Sequence, residues 1–178
     1  TRARKTRTKS FNAFSSIDYP ETAMFRDRRL IQFLQRPAEY THAVFSTALD
    51  PNVFVLRLVP GMRADIIPML EGRYRALVLE SFGVGGLPGG DDGAMFAAVR
   101  DWCGAGHLAA FTTQVPHEGS DLAVYEVGRA AKALPGVLEA HDMTPEATAV
   151  KLMWVLGQTT DRAEAEKLFL TPVQWDIL

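Results

Sequence analysis

The sequence predicts a small α/β domain whose parallel β-sheet is flanked by helices on both sides. Three short apolar segments, at 53–59, 76–79 and 107–113, have the length and composition of buried strands. Helical patterns over 94–104 and 121–134 follow two of these segments, and glycines or a Pro-Gly pair end each helix. Strands that alternate with helices form a parallel sheet through right-handed crossovers, so these patterns together predict the fold class.

The N-terminal part of the chain has a different pattern. Residues 6–14 and 28–34 predict extended segments, but neither carries a strong core pattern. A weak alternation over 42–48 predicts one further strand. We interpret residues 1–37 as the end of a preceding domain with a linker, and residues 38–178 as the domain that holds the sheet.

Local signals predict the remaining helices. A short helix over 64–70 is expected to break at Pro68, which lacks a backbone N–H. Thr144, followed by a proline and a glutamate, is a favourable N-cap for a helix that runs to the next glycine. Asp161 and Glu164 have the spacing of a capping box and predict a last helix.

Composition bounds the classes of protein to which the chain can belong. Of its 178 residues 47% are hydrophobic, which suits a globular protein with a packed core. No apolar run approaches the ~20 residues that cross a bilayer, so we predict no membrane partner. Five basic residues and no acidic residue lie among the first nine, but no aromatic residue that could stack on bases accompanies them. We therefore favour an extended segment over a nucleic-acid contact.

The most distinctive stretch is a glycine-rich loop, residues 83–90, that follows the apolar run 76–79. Glycines let the backbone adopt positive φ and approach a ligand closely. A helical pattern begins after the loop at Asp91-Asp92, and strand, glycine loop and helix together place ligands at the carboxyl edge of a parallel sheet. A dinucleotide-type phosphate cradle is disfavoured because Pro88 replaces its third glycine and the two acids would repel phosphate. A tight turn without a ligand and a loop beside a polar site remain as alternatives.

Polar side chains follow two of the predicted strands. Glu80 and Ser81 end the central strand, and Thr113 and Gln114 end the next one along the chain. Because the carboxyl ends of parallel strands meet at one edge, we expect these residues to be neighbours. A carboxylate, two hydroxyls and an amide around a glycine loop suit a small polar ligand such as an amino acid. Alternatively, the same groups cap helices and satisfy the loop backbone.

The sequence predicts no metal and no cofactor. His117-Glu118 and His141-Asp142 are adjacent pairs, whose side chains diverge. Cys103 is the only cysteine, so no internal disulfide can form, and beside Trp102 on a helix it is expected to be a core residue.

Several longer motifs occur in a fixed order along the chain. They are Leu77-Val78-Leu79-Glu80-Ser81-Phe82-Gly83-Val84-Gly85, Thr112-Thr113-Gln114, Glu118-Gly119-Ser120-Asp121-Leu122, Asp142-Met143-Thr144 and Lys151-Leu152-Met153-Trp154. Together they resemble the C-terminal domain of bacterial type I (cytoplasmic) L-asparaginases. The stretch Asn12-Ala13-Phe14-Ser15-Ser16 also resembles the end of that family's first domain, so the likeness covers essentially the whole chain.

The resemblance implies a Rossmann- or flavodoxin-like domain of a cytoplasmic homo-oligomer, a dimer or a dimer of dimers. The family hydrolyses L-asparagine to L-aspartate and ammonia with a threonine nucleophile of the N-terminal catalytic domain. None of that domain's catalytic motifs occurs here, so no catalytic residue is expected in the chain and we predict that it is inactive alone. Residues 1–37 are then the end of the catalytic domain with a linker, and 38–178 the asparaginase C-terminal domain.

The resemblance also implies two sites. A loop that reaches the active site of a neighbouring subunit comprises Gly83, Val84, Gly85 and Gly86, with Glu118 as a nearby carboxylate; the family often has asparagine at the position of Gly86. Some members bind asparagine as an effector. The matching site here would comprise Glu80, Ser81, Thr113 and Gln114, with Glu80 in place of an arginine.

Two other functions are also considered for a chain with this sequence. One is the asparaginase-like subunit of glutamyl-tRNA(Gln) amidotransferase, which should carry an additional N-terminal domain. The other is a stand-alone amino-acid-binding regulatory domain that uses Glu80 and Thr113.

Overall fold

The computed structural model describes residues 2–34, 44–88, 93–173 and 175–177. Its strands are β1 (Ala3–Lys5), β2 (Phe14–Ser16), β3 (Ala23–Arg26), β4 (Arg29–Gln32), β5 (Val53–Arg57), β6 (Ala76–Ser81), β7 (Leu108–Thr113) and β8 (Val137–Glu139). Its helices are α1 (Ala94–Gly104), α2 (Glu126–Lys132), α3 (Pro145–Gln158) and α4 (Arg162–Leu170), with 3-10 turns at Ala64–Ile66 and Pro68–Leu70. The predicted break at Pro68 is therefore confirmed.

The last four strands form one parallel sheet in the order β5-β6-β7-β8. Leu77 pairs with Ala109 and Leu79 with Phe111, which confirms the predicted parallel pairing of these segments. All four residues of the run 76–79 are 0% exposed, because β6 is covered on both faces. The predicted fold class is confirmed.

Helices cover both faces of the sheet. On one face, α1 and the 3-10 turns pack against Leu77, Leu79 and Phe111. On the other face, α3 and α4 pack against Val78 and Ala110. Both cores are continuous with the sheet. Because its two faces are covered, we expect a site at the ends of the strands and not on the faces of the sheet.

The predicted starts of α3 and α4 are confirmed. The Thr144 hydroxyl oxygen accepts a 3.2 Å hydrogen bond from the Ala147 N–H, and the Asp161 carboxylate accepts one of 2.8 Å from the Glu164 N–H. The capping box at α4 is completed differently from the usual pattern, because the Asp161 N–H donates to the Thr159 hydroxyl and not to Glu164.

The strand predicted over 42–48 is wrong for residues 44–48, and residues 42 and 43 lie outside the described residues. This segment runs along α3 instead of joining the sheet. The Ser46 carbonyl accepts a hydrogen bond from the Trp154 indole, and the Ala48 carbonyl accepts one from the Gln158 amide. Side chains of a helix therefore satisfy the backbone groups that a strand ladder would have used.

The helix predicted over 121–134 forms only as α2 (Glu126–Lys132). Asp121 turns its carboxylate back onto the Ala123 N–H at 2.9 Å, which is a local alternative to helix formation. β8 was not predicted, because three residues are too few to show a periodicity.

The helix predicted over 94–104 forms as α1 (Ala94–Gly104). Asp91-Asp92, where the helical pattern begins, lies outside the described residues, and the observed helix begins at Ala94 after Gly93, which has a φ of 80°. Cys103 on this helix is buried, as predicted.

The N-terminal segment forms two antiparallel hairpins, β1–β2 and β3–β4. The stretch 6–14, predicted to be extended, is mostly the loop between β1 and β2. Arg2 is 5% exposed, pairs with Asp142 and donates to the Trp175 carbonyl at 3.0 Å. The start of the chain is thus fastened to the sheet domain and to its C-terminal tail. Within the described ranges, no helix has both the length and the apolar character needed to cross a membrane.

Candidate functional site

β6 and β7 end side by side at the carboxyl edge of the sheet. The register pairs Ser81 with Thr113, so the polar residues expected to be neighbours are neighbours. Residues 82–86, at the start of the glycine loop, follow β6 at this edge, and the loop over 114–122 follows β7. Strand pairing therefore brings the two predicted site segments together.

Three of the four polar side chains at this edge bind backbone groups. The Ser81 hydroxyl donates to the Thr112 carbonyl at 2.7 Å. The Thr113 hydroxyl donates to the Gly83 carbonyl and accepts from the Val115 N–H. The Gln114 amide donates to the carbonyls of Leu58 and Glu80. These bonds fix the bases of both loops, and the effector role predicted for the three residues stays a prediction.

Glu80 is arranged differently. Its side chain is 12% exposed, and its Oε2 lies 3.5 Å from the Arg57 guanidinium. That oxygen is enclosed and accepts no hydrogen bond from any residue that the structure describes. Buried acceptors are seldom left in this state, so Glu80 retains capacity for a donor.

The first part of the glycine loop, which the structure describes, is a tight turn between Phe82 and Gly86. The Phe82 N–H donates to the Gly86 carbonyl at 3.0 Å, and the Gly86 N–H donates back at 2.7 Å. Gly83 has a φ of 49°, which favours glycine. The N–H groups of Gly83 and Val84 find no acceptor among the described residues. Consecutive free N–H groups in a turn are one of the backbone arrangements that bind anions in proteins.

The loop after β7 contacts the glycine loop directly. The Asp121 N–H donates to the Val84 carbonyl at 2.8 Å. Gly85 has a φ of 147°, and a Cβ there would lie 2.6 Å from a Leu122 methyl carbon, so glycine favours this close approach of the two segments. We call the joined segments 82–86 and 118–122 the rim.

Glu118 lies at the exposed tip of the rim in a backbone conformation that is uncommon for its type. Its φ is 76°, in the left-handed region. The Asp18 carboxylate accepts the Glu118 N–H at 2.9 Å and lies 3.2 Å from the His117 imidazole. The Glu118 carboxylate has no hydrogen-bond partner in the described part of the chain and faces solvent. Strained residues held by their surroundings are concentrated at functional sites.

A buried carboxylate supports the rim from below. Glu139, 5% exposed at the end of β8, accepts a 2.5 Å bond from the Leu122 N–H and a 2.8 Å bond from the Lys132 ammonium. The hydrogen bond to Glu139 raises the pKa of Lys132 above its ordinary value of 10.5. Lys132 therefore stays protonated at neutral pH, and its hydrogen bond helps to hold the Glu139 carboxylate beneath the rim.

The groups at this edge limit its chemistry. Each hydroxyl donates to a backbone carbonyl and not to a basic side chain; they belong to Ser81, Thr112, Thr113 and Ser120. Among the described residues, no group of three or more His, Cys, Asp or Glu is placed to hold a metal ion. Within residues 80–88 and 112–122, this edge therefore offers N–H donors and carboxylates, but no hydroxyl that donates to a basic side chain.

Sequence reasoning missed Asp18 and Glu139. Asp18 lies about 100 residues from its partners, and no local pattern indicates such a contact. Glu139 did leave a signal, because it is the one charged residue between Val137 and Ala140, an otherwise apolar stretch. A lone carboxylate in a buried segment needs a partner.

Comparison with known proteins places the chain in a family. The model of the glutaminase/asparaginase C-terminal domain matches residues 52–169. The chain is 38% identical over 169 residues to an L-asparaginase of Thermococcus kodakarensis, covering 94% of this chain and 50% of that protein. It is 34% identical over 177 residues to a glutamyl-tRNA(Gln) amidotransferase subunit of Pyrococcus furiosus, covering 96% of this chain and 39% of that protein.

Solved structures show the same architecture. The thermostable L-asparaginase from Thermococcus kodakarensis superposes with a TM-score of 0.92 at 35% identity, over 100% of this chain and 53% of that one. L-asparaginase I from Vibrio cholerae shares the fold, with a TM-score of 0.86 at 22% identity over 99% of this chain and 53% of its own. The chain thus spans about half the length of these asparaginases. On these matches, the chain belongs to the glutaminase/asparaginase C-terminal domain family.

Proposed function

We propose that this chain is the supporting part of an L-asparaginase, an enzyme that hydrolyses L-asparagine to L-aspartate and ammonia. In this proposal two copies pair, and each presents its rim to a catalytic centre that supplies the threonine nucleophile. Chemically, a hydroxyl attacks the side-chain amide, ammonia leaves, and water then releases aspartate from the acyl-enzyme. The chain by itself is proposed to be inactive.

The arrangement of the rim carries the proposal. Its free N–H groups, on Gly83 and Val84, suit the α-carboxylate of an amino acid, and the unpaired carboxylate of Glu118 suits the α-ammonium group. The Asp121–Val84 hydrogen bond fixes the backbone of the glycine turn, and Asp18 fixes the backbone of Glu118. Backbone segments that are already ordered bind an amino acid without the entropic cost of ordering a loop.

Complementation tests this proposal. The chain is co-expressed with the part of the Thermococcus kodakarensis L-asparaginase that it does not match, and ammonia release from L-asparagine is measured. We expect turnover from the mixture only, and a fall in kcat/KM of about tenfold or more for Glu118→Gln, because a charge-assisted contact is lost. Glu71→Gln, at an exposed glutamate near the opposite edge of the sheet, is the matched control.

Two results would overturn the proposal. Ammonia release by the chain alone would show that it is not merely a supporting part. If the mixtures that contain the Glu118→Gln and Glu71→Gln chains are equally active, the rim is not part of the substrate site. Sedimentation of the chain alone measures its oligomeric state independently of the co-expression experiment. We expect a dimer, and a monomer at every concentration up to millimolar would contradict the pairing.

A role as the asparaginase-like subunit of a glutamyl-tRNA(Gln) amidotransferase is the second candidate. It is favoured by the 34% identity to the Pyrococcus furiosus protein over 96% of this chain, close to the 38% identity to the asparaginase. Ammonia release that requires glutamyl-tRNA(Gln) would support this candidate. Release from free asparagine without tRNA would support the first one.

We also propose that the enclosed Oε2 of Glu80 binds the ammonium group of an amino-acid effector. Ser81, Thr113 and Gln114 would then shape this site through the backbone groups that they hold. Calorimetric titration with L-asparagine is expected to give heat with the parent chain and none with Glu80→Gln. No heat at millimolar ligand in either protein would contradict this role.

A further inference from the structure

We propose that the opposite, amino edge of the sheet binds a small oxyanion, a carboxylate or a phosphate group. The site is a cavity of about 210 Å³ between the segments that lead into β6 and β7 and the loop that joins α3 to α4. Its polar lining comprises Arg75, His107, Thr159, Thr160, Asp161 and Arg162. It is separate from the rim, because the six residues of β6 place the two edges ~17 Å apart.

Arg75 is a fixed cation in this cavity. One of its guanidinium nitrogens, Nη1, donates to the Asp50 carboxylate at 2.8 Å and to the Leu156 carbonyl at 3.2 Å. Its Nε and Nη2 donate to no residue in the described ranges. The side chain is thus held in one orientation with donors to spare, which lowers the entropic cost of binding an anion.

Arg162 supplies a second guanidinium with unused donors. The carboxylate nearest to it is Glu166, whose Oε1 already accepts the Gly136 N–H at 3.0 Å. The distance from the Arg162 Nε to that oxygen is 3.9 Å, which is beyond hydrogen-bond reach. The aliphatic part of Arg162 packs over Gly136, where a Cβ would lie 3.6 Å from its Cδ. This packing directs the side chain along the cavity wall.

His107 adds a ring that is held in place but has no hydrogen-bond partner. It stacks on Trp102 with ring centroids 4.2 Å apart. Trp102 is itself fixed, because its indole N–H donates to the Leu108 carbonyl at 2.9 Å. Within the described part of the chain, neither nitrogen of the His107 ring makes a hydrogen bond.

The charges around the cavity favour an anion over a cation. Two guanidinium groups line it, and Asp161, the one carboxylate of the described lining, already accepts the Glu164 N–H as the α4 N-cap. Glu166 lies 3.9 Å from Arg162 but outside the lining, and its Oε1 is occupied by the Gly136 N–H. Asp50 lies behind Arg75, on the other side of their ion pair. An oxyanion can accept hydrogen bonds from both guanidinium groups, from the imidazole and from the Thr160 hydroxyl.

Calorimetry on the 178-residue chain tests this site. The probes are inorganic phosphate, malonate and glycinamide, which carry a phosphate group, carboxylates and no oxyanion, respectively. We expect binding of phosphate or malonate and none of glycinamide, and the stronger of the two anions identifies the group. Arg162→Gln is expected to weaken binding roughly tenfold or more, because a charge-assisted contact is lost.

Two variants act as controls. Arg100→Gln removes an exposed arginine of α1 that pairs with Asp101, and it should leave binding unchanged. His107→Phe keeps a ring that can stack on Trp102 but removes the nitrogens, and it should weaken anion binding while the circular dichroism spectrum stays the same. No binding of either anion, or equal binding by the Arg162→Gln and Arg100→Gln chains, would overturn the site. Neither result bears on the rim, which lies at the other edge.

Discussion

The Glu139 carboxylate accepts a hydrogen bond of 2.5 Å from the backbone N–H of Leu122, which lies 17 residues earlier in the chain. Leu122 is 1% exposed and packs against Gly85. A single contact thus ties the edge strand β8 to both segments of the rim. Without it, the buried N–H of Leu122 would have no acceptor, and the loop after β7 would lose its support.

Replacing Glu139 tests this support. Glu139→Ala should lower the free energy of unfolding by about 2 kcal/mol, because the buried N–H of Leu122 loses its acceptor. The Lys132 ammonium adds little to this loss, since its side chain is 50% exposed and water can solvate it. Urea unfolding measures the change. Glu71→Ala, at an exposed position, is the control, and equal losses in the two variants would contradict the role of Glu139.

Gly119 tests the backbone of the rim. Its φ is 70°, and a Cβ there would lie 2.5 Å from the His141 carbonyl oxygen. Gly119→Ala should therefore lower the free energy of unfolding by more than about 2 kcal/mol, since left-handed strain and a clash with backbone add together. Thermal unfolding measures the loss.

Gly104 provides the matched substitution. It lies at the end of α1 with open space around its Cα, so Gly104→Ala should be neutral or stabilising by up to about 1 kcal/mol. Similar melting temperatures for Gly119→Ala and Gly104→Ala would show that the close approach to His141 is unimportant.

The hydrogen-bonded carboxylate of Asp50 should make the free energy of unfolding fall in acid. Burial alone would raise its pKa, but hydrogen bonds from the Asn52 backbone and from Arg75 outweigh burial and hold the pKa below 3.8. The stabilisation is therefore complete above pH 3.8 and is lost as the pH falls through the lowered pKa. Asp50→Asn should cost about 1 kcal/mol at pH 7, since Arg75 is 37% exposed and solvent screens the pair.

The difference between the parent chain and Asp50→Asn should shrink towards zero in the acid limb of a pH series of urea unfolding curves. Asp65→Asn is the control, because its pair with Arg63 is exposed on both sides. A difference between parent and Asp50→Asn that is the same at neutral and at strongly acidic pH would refute the prediction.

Cys103 should be unreactive while the protein is folded. Burial raises the pKa of its thiol to about 12, so almost no thiolate, the reactive form, exists at neutral pH. A thiol-specific chromogenic disulfide should therefore label the native chain far more slowly than the chain in urea, where one equivalent should react. Equal rates in the two states would show that Cys103 is accessible.

Much of the fold could be predicted because its signals are local or follow from composition. The run 76–79 is apolar throughout, and such a run is sufficient to predict a strand that is covered on both faces. Thr144 and Asp161 cap helices through contacts only three residues away, so their spacing in the sequence is sufficient.

The position of the candidate site could be predicted, but its side-chain directions could not. Parallel strands end together, and that placed Glu80-Ser81 beside Thr113-Gln114. The direction in which each polar group turns depends on which backbone carbonyl lies nearest after folding. Thr113 binds Gly83 and Gln114 binds Leu58, and neither partner is marked in the sequence.

The sequence by itself therefore determined the class of fold, the buried central strand, the helix caps and the edge at which the rim forms. Only the tertiary structure decided what holds the rim: Asp18 at Glu118, Asp121 at Val84 and Glu139 at Leu122. The physical reason is the separation along the sequence over which each kind of interaction acts. Apolar periodicity and capping act over a few residues, whereas these bonds join segments that meet only once the sheet has assembled.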